Sequence, residues 1–169
     1  VLDGGSTDNS ISVIEKWGPR LTRWRSGPDA GQAAAINEGV AWGKAPFVCW
    51  LNADDLFLPR GLIALMAGLE TSNEAAAAYG RCWTVSEKGT RLIPYLTLPF
   101  HPVLFSSYCF VAQPATLIRR SAWERVGGLD ERLQMAMDYD LWWRLYRSLG
   151  SLVYVRTFVA ATRMHGGTK

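Results

Sequence analysis

Cysteine is scarce in this sequence: Cys49, Cys82 and Cys109 are odd in number, widely separated and never spaced as C-x-x-C. That excludes a disulfide framework and a thiolate zinc site, and makes a reducing compartment the simpler expectation. Excess charge is also missing. The net charge is only +3, with Lys and Arg scattered along the chain, so no nucleic-acid partner is expected, while an anionic small molecule remains compatible. No basic segment followed by an apolar stretch opens the chain, so no signal peptide is read from these residues. Charge is absent altogether from residues 92–118, "LIPYLTLPFHPVLFSSYCFVAQPATLI". A membrane-spanning helix needs about 20 apolar residues, but Pro94, Pro99, Pro102 and Pro114 would break it. The expectation is a buried loop and strand, the alternative an aromatic wall facing a partner or a bilayer.

What is present is enough apolar material for a core. At 49% hydrophobic over 169 residues the chain is expected to form one globular domain over residues 1–169. Ser6, Thr7 and Asp8 are natural caps for a helix carrying Ile11, Ile14 and Trp17, which stops at Gly18-Pro19. "LTRWRS" has the composition of an exposed strand, and "GPDAG" is a turn. Ala33, Ile36 and Val40 share one face of a helix over 32–42 with Gly43 as its stop. "PFVCWL" is expected as an interior strand buried on both faces, and Pro59 to open the helix "PRGLIALMAGLE". "AAAAYGRCWTV" and "TRLI" look like a strand pair, and "ATLIRR" like a further strand. Ser121 and Glu124 have capping-box spacing. "DYDLWWRLYRSLG" is an amphipathic helix in which at least one of Trp142 and Trp143 must face inward. "SLVYV" is a last strand. The alternation predicts an α/β layered fold with a mainly parallel sheet.

The acids cluster at the ends of these elements. Asp3 ends the first strand, Asp54 and Asp55 end the interior strand, and Asp138 and Asp140 open the late helix. In a parallel sheet the carboxyl ends of strands share the ligand-binding edge, so Asp3 and the 54–55 pair are expected to converge on one crevice. Two adjacent carboxylates at the end of a buried strand are costly without a positive partner. Mg²⁺ or Mn²⁺ suits such hard oxygen donors; a helix cap followed by a first-turn acid is the plainer alternative.

"VLDGGSTDNS", "DAGQAAAINEGVAWGKAPFVCWLNADD" and "QPATLIRRSAWERVGGLDERLQMAMDYDLWWRL" occur in that order, and together they resemble a family 2 glycosyltransferase of the GT-A fold, from Val1 to Arg144. The resemblance implies a three-layer domain with a mainly parallel central sheet, its first strand missing here. It implies shortening at the N-terminus, with C-terminal shortening also open. The activity it implies is inverting transfer of a sugar from a nucleotide diphosphate donor to a glycan or lipid-linked acceptor, assisted by Mg²⁺ or Mn²⁺. Such an enzyme is expected in the cytoplasm at the inner face of the cell membrane, with the loop between Tyr95 and Phe110 as acceptor wall.

On this pattern Asp3 would contact the nucleoside, and Asp29, Gln32 and Asn37 would line the nucleotide and sugar side. Asp54 and Asp55 match the acidic end of a DxD-type motif, with Asn52 where its first acid often stands. That departure leaves open which residue meets the metal and which holds sugar hydroxyls. Asp138 matches the general base, which takes the acceptor proton during displacement; Met137 stands where a Glu is common. Asp140 is the second choice for base and is otherwise a substrate contact or a helix cap. "TRMHGG" resembles the late Arg-x-His element, so His165 would reach metal or diphosphate and Arg163 would offset phosphate charge. His101 is a weaker candidate. Gln113-Pro114 matches an element below the acceptor site. Two competing readings are a noncatalytic nucleotide-sugar binding module and a nucleotidyltransferase. The Gly-rich loop and signature Lys of the latter are not evident.

Overall fold

Leu2 and Asp3 do form a strand, but a very short one. In the computed structural model, which describes residues 1–164 and 166, β1 (Leu2–Asp3) is followed by α1 (Ser10–Trp17), β2 (Arg25–Ser26) and α2 (Gln32–Trp42). With Gly128–Met137 these belong to the first of two compact units, Val1–Lys44 plus Gly128–Met137; the second is Ala45–Gly127 plus Asp138–Lys169.

In the first unit β1 and β2 pair in parallel, Leu2 opposite Arg25 and Asp3 opposite Ser26. Asp8 serves α1 as expected, its Oδ1 accepting the Ser10 N–H at 2.9 Å. Ser6 is instead drawn to Asp3. α2 lies close over β1 because residue 39 is glycine: a Cβ there would stand 2.7 Å from Leu2 Cδ1. Arg25 Nε donates to Glu38 Oε1 at 2.8 Å, joining β2 to α2.

The second unit is built on a six-stranded sheet. Its elements are β3 (Phe47–Val48), β4 (Leu56–Phe57), α3 (Gly61–Glu70), β5 (Ala77–Val85), β6 (Arg91–Pro94), α4 (Pro102–Ser107), β7 (Thr116–Arg119), α5 (Arg120–Val126), α6 (Met137–Leu149) and β8 (Leu152–Arg163). The order is β3-β7-β5-β8-β4, with β6 also pairing with β5. Only β5 and β8 run parallel; β3–β7, β7–β5, β5–β6 and β8–β4 are antiparallel.

The α/β class therefore holds, and the mainly parallel sheet is corrected to a mixed one. "PFVCWL" contributes not a long interior strand but the two-residue end strand β3. A continuous apolar run suits burial on both faces whatever the direction of the neighbouring strand, and even that burial is partial here: within the run only Val48 is buried and Leu51 is exposed.

The core lies between α3 and the sheet, where Leu65, Leu69, Ala78, Cys82, Leu117, Val159 and Ala160 pack together. Close approach of α3 requires glycine at 61, since a Cβ would overlap the carbonyl oxygen of Val159, and at 68, where it would stand 2.5 Å from Val155 Cγ2. α3 opens at Gly61 rather than at Pro59, after Arg60 in the left-handed region with φ 64°. The Ser121/Glu124 capping box does not form. α5 starts two residues earlier, with Arg119 rather than Ser121 at the cap and no side-chain cap bond. On α6, Leu141, Trp142 and Leu145 are fully buried, and Trp142 stacks on Trp50 at 6.1 Å.

The uncharged segment is neither wholly buried nor without helix. Phe105, Phe110 and Val111 are core residues, while Leu92, Ile93, Leu96, Val103 and Leu104 are exposed, and Pro102 opens α4 at its first position. Among the described residues no helix is long and apolar enough to cross a membrane.

Candidate active site

Asp3 sits at the end of β1, where the chain must turn, and its carboxylate organises that turn. Oδ2 accepts the N–H groups of Gly5 (3.0 Å) and Ser6 (2.9 Å) and the hydroxyl of Ser26 (2.7 Å); Oδ1 accepts the Ser6 hydroxyl. These donors, the Ser6 hydroxyl first, hold its pKa well below the usual carboxylate range. The loop bearing Asp29 lies alongside. A Cβ on Gly4 would stand 3.3 Å from Asp29 Oδ2, and Asp29 Oδ1 accepts the Gly31 N–H at 2.9 Å. Gln32 is exposed on the first turn of α2. Asn37 uses both ends of its amide on the returning segment: Nδ2 donates to Leu129 O and Glu131 Oε1, each at 2.9 Å, and Oδ1 accepts the Leu129 N–H at 2.9 Å. Asp3, Asp29, Gln32 and Asn37 thus all belong to the first unit.

Asn52, Asp54 and Asp55 form one turn in the second unit. The Asp55 N–H donates to Asn52 O at 3.1 Å, and Asn52 Nδ2 donates to Asp55 Oδ2 at 3.1 Å. Gln113 fastens the approach to this turn by donating to Trp50 O at 2.7 Å. Burial is the main cause that pushes the Asp55 carboxyl up, the Thr162 hydroxyl opposes it, and the charge of Asp54 adds to the rise. Arg163 closes the far side: its N–H reaches Asp55 Oδ1 at 3.4 Å, and its guanidinium donates to Asp54 O at 3.4 Å, Ser86 O at 3.1 Å and Glu87 O. The guanidinium expected to offset phosphate charge is thus engaged with backbone carbonyls. Thr162 was missed because it lies in the element read for Arg163 and His165; the alternation of a longer last strand would have pointed to it. His165 itself lies outside the described residues.

These donors suit a divalent cation. Two adjacent carboxylates, one destabilised by burial and by its neighbour, are the hard oxygens that Mg²⁺ or Mn²⁺ takes, and a cation would reverse the penalty on Asp55. Among the described residues no group of three or more His, Cys, Asp or Glu side chains comes together. Among the described residues the pair is what such a site offers, and Mg²⁺ commonly uses one or two carboxylates beside substrate phosphates.

Asp138 lies half-buried in the first turn of α6, its Oδ1 accepting the Tyr139 N–H at 2.9 Å. Burial pushes its pKa up. The Cys109 thiol and the Tyr95 hydroxyl feel its charge, and Tyr95 donates to Cys109 O at 2.5 Å. Asp140 differs from it: Arg144 Nε donates to Asp140 Oδ2 at 2.7 Å, and Arg144 also holds Val126 O at 2.7 Å. Asp140 is therefore a tethered helix residue, while Asp138 forms no ion pair among the described residues.

The α/β fold built on this mixed sheet is shared with solved glycosyltransferase structures. S. aureus TarS 1–349 in complex with UDP-GlcNAc superposes with a TM-score of 0.73 at 15% identity, over 99% of this chain and 50% of that one. The mannosyltransferase PcManGT from Pyrobaculum calidifontis, in complex with GDP-Man and Mn2+, gives 0.66 at 16% identity, over 97% and 46%. Residues 1–127 match the family described as glycosyl transferase family 2, and the chain belongs to that family. A chondroitin synthase of Pasteurella multocida is 25% identical over 164 residues, 92% of this chain and 17% of its own length. The O-antigen biosynthesis protein RfbC of Myxococcus xanthus is 26% identical over 158 residues, 92% of this chain and 12% of its own. The chain thus spans a small part of these relatives and about half of the TarS fragment.

Proposed function

We propose that residues 1–169 act as a single glycosyltransferase domain that moves a sugar, with inversion, from a nucleotide diphosphate to a glycan or lipid-linked acceptor. The observation that carries this reading is the Asn52–Asp55 turn: a carboxylate pair with one member raised by burial, in a chain of family 2. Asp54 and Asp55 would hold Mg²⁺ or Mn²⁺, with His165 as a further ligand and Asn52 toward the sugar. A bound cation would supply charge stabilisation to the departing diphosphate. Asp3 and Asp29 would serve the nucleoside, Asp3 by presenting a preformed turn, with Gln32 and Asn37 lining the same side. Asp138 would take the acceptor proton as general base, and Asp140 would keep the first turn of α6 in place beside it through Arg144.

The ligands held by the two solved structures, UDP-GlcNAc in one and GDP-Man with Mn2+ in the other, support a nucleotide-sugar donor and a divalent metal. The exposed apolar segment, with Ile93 67% and Val103 68% accessible, supports a lipid-bearing acceptor at the cytoplasmic face of a membrane.

The test is thermal melting with UDP and Mn2+, followed by release of UDP from a donor panel. A ligand at 100 times its Kd stabilises by about 2.7 kcal/mol, so a clear rise in Tm is expected when both are present and a smaller one with UDP alone. Asp54→Ala should remove the metal-dependent part of that rise and leave the remainder. An equal loss in EDTA would overturn the coordination role. A Tm rise without any UDP release would favour the noncatalytic binding module.

A further inference from the structure

Four side chains from three neighbouring strands, Arg91 on β6, Arg81 and Trp83 on β5 and Phe158 on β8, form a stack that the transfer chemistry does not use. The rings of Trp83 and Phe158 lie 4.3 Å apart at 12°. The guanidinium of Arg81 sits 4.1 Å from the Phe158 centroid, and that of Arg91 sits 5.3 Å from the Trp83 centroid. Two groups cannot share one ring face at these separations, so the order is Arg81, Phe158, Trp83, Arg91, with a cation at each end. Arg91 is exposed and the other three are half-buried.

Neither terminal guanidinium has an ion pair or hydrogen bond among the described residues. Arg25, Arg119 and Arg144, by contrast, are all held by carboxylates or carbonyls. A guanidinium resting against a ring keeps its N–H groups for a partner, and its planar fork can grip carboxylate or phosphate with two parallel bonds.

The stack also restricts what can bind. Both faces of both rings are covered, so neither a nucleobase nor the flat face of a neutral sugar can stack there, as single-stranded nucleic acid would require. What remains is two anchored cations at a fixed separation, which fits a chain carrying repeated anions. The stack is separate from the Asp54–Asp55 turn. Cys82, between Arg81 and Trp83, points to the opposite face by strand alternation, where it joins the core and feels the charge of Asp55.

We propose that Arg81 and Arg91, held by Phe158 and Trp83, form an exosite for an acidic glycan, gripping its carboxylate or phosphate groups. The inference rests on the reading that the acceptor is a glycan. It is tested on the full chain by affinity electrophoresis through hyaluronan, through a phosphodiester-linked mannan and through neutral dextran, with polyuridylate as competitor. The wild-type chain is retarded by one of the two acidic polymers, which identifies carboxylate or phosphate as the ligand, and not by dextran. The Arg81→Gln/Arg91→Gln variant, checked as folded by its melting transition, should bind about tenfold more weakly or worse. The corresponding double Lys variant, with charge but no planar fork, should fall between them.

Equal retardation of the wild type and the Gln variant would overturn the proposal, and so would polyuridylate competing as well as the glycan. Loss of glycan binding in the Gln variant with an unchanged UDP and Mn2+ melting shift supports it. Glycan binding that depends on both arginines in a chain that shows no such shift would leave the exosite standing and defeat the donor reading.

Discussion

At Asp138 two opposing influences meet in one carboxyl. Its place in the first turn of α6 favours the ionised form, by about 1 kcal/mol at most for a typical site, while burial favours the protonated form. Burial wins, since the pKa is raised. The groups that face it, Cys109 and Tyr95, are both raised as well, by burial first and by the Asp138 charge in addition, Cys109 to about 11; neither offers a counter-charge at neutral pH. The raised group contributes stability below its unfolded pKa and loses that contribution as pH rises through the folded value. Asp138→Asn should therefore raise Tm at neutral pH, the gain vanishing in acid, while transfer falls about 10²–10⁴-fold. Equal turnover would remove Asp138 from the mechanism. Asp3 carries the opposite sign. Its pKa is depressed by the donors around it, so its stabilisation is present above the ordinary carboxylate range and lost as pH falls through it. Asp3→Asn should lower Tm at neutral pH, with the gap to wild type closing in melts taken at progressively lower pH. Both residues stood out in the sequence as acids at the ends of elements, and the structure places them there. Their opposite shifts were not legible in the sequence. Asp3 owes its shift first to the Ser6 hydroxyl, which in the sequence looks like a helix cap, and then to Ser26, distant in sequence; that of Asp138 comes from burial by the folded chain.

Among elements, the approach of α3 to β8 rests on residues with no side chain. A methyl group at 61 meets a backbone carbonyl, that of Val159, whereas one at 68 meets the side chain of Val155, which can rotate. Gly61→Ala should thus cost about 1–3 kcal/mol and more than Gly68→Ala, measured by urea unfolding; the reverse order would place the tight contact elsewhere. Helix periodicity was well read: α2 occupies residues 32–42 as expected, and α6 buries one tryptophan fully. The strands were read less well. β1, β2, β3 and β4 have two residues each, too few for alternation to register, and α4 was hidden because proline at the first helical position looks the same as proline in a loop. The last strand was seen as "SLVYV", yet β8 continues to Arg163; Arg156 and Thr157 are exposed in the middle of it and interrupt the apolar pattern.

For the molecule as a whole, the family was legible from motif order, and the match over residues 1–127 agrees with it. The carboxylate pair was legible too, whereas its support from Thr162 and Arg163 required the register of β8 against β4, which sets Leu56 opposite Ala161. The pairing of β8 with β5 sets the order in which the chain can fold. β5 takes β8 as its only parallel neighbour among the described strands, from Ala77 against Leu152 to Val85 against Arg163, and the segment 86–151 lies between them. Pairing so distant in sequence closes a large loop before any contact rewards it, which slows folding. During synthesis β5 leaves the ribosome long before β8, with one edge unpaired and its apolar face uncovered. The acidic turn, whose carboxylate is held from Thr162 and Arg163, is therefore completed only when the last strand arrives.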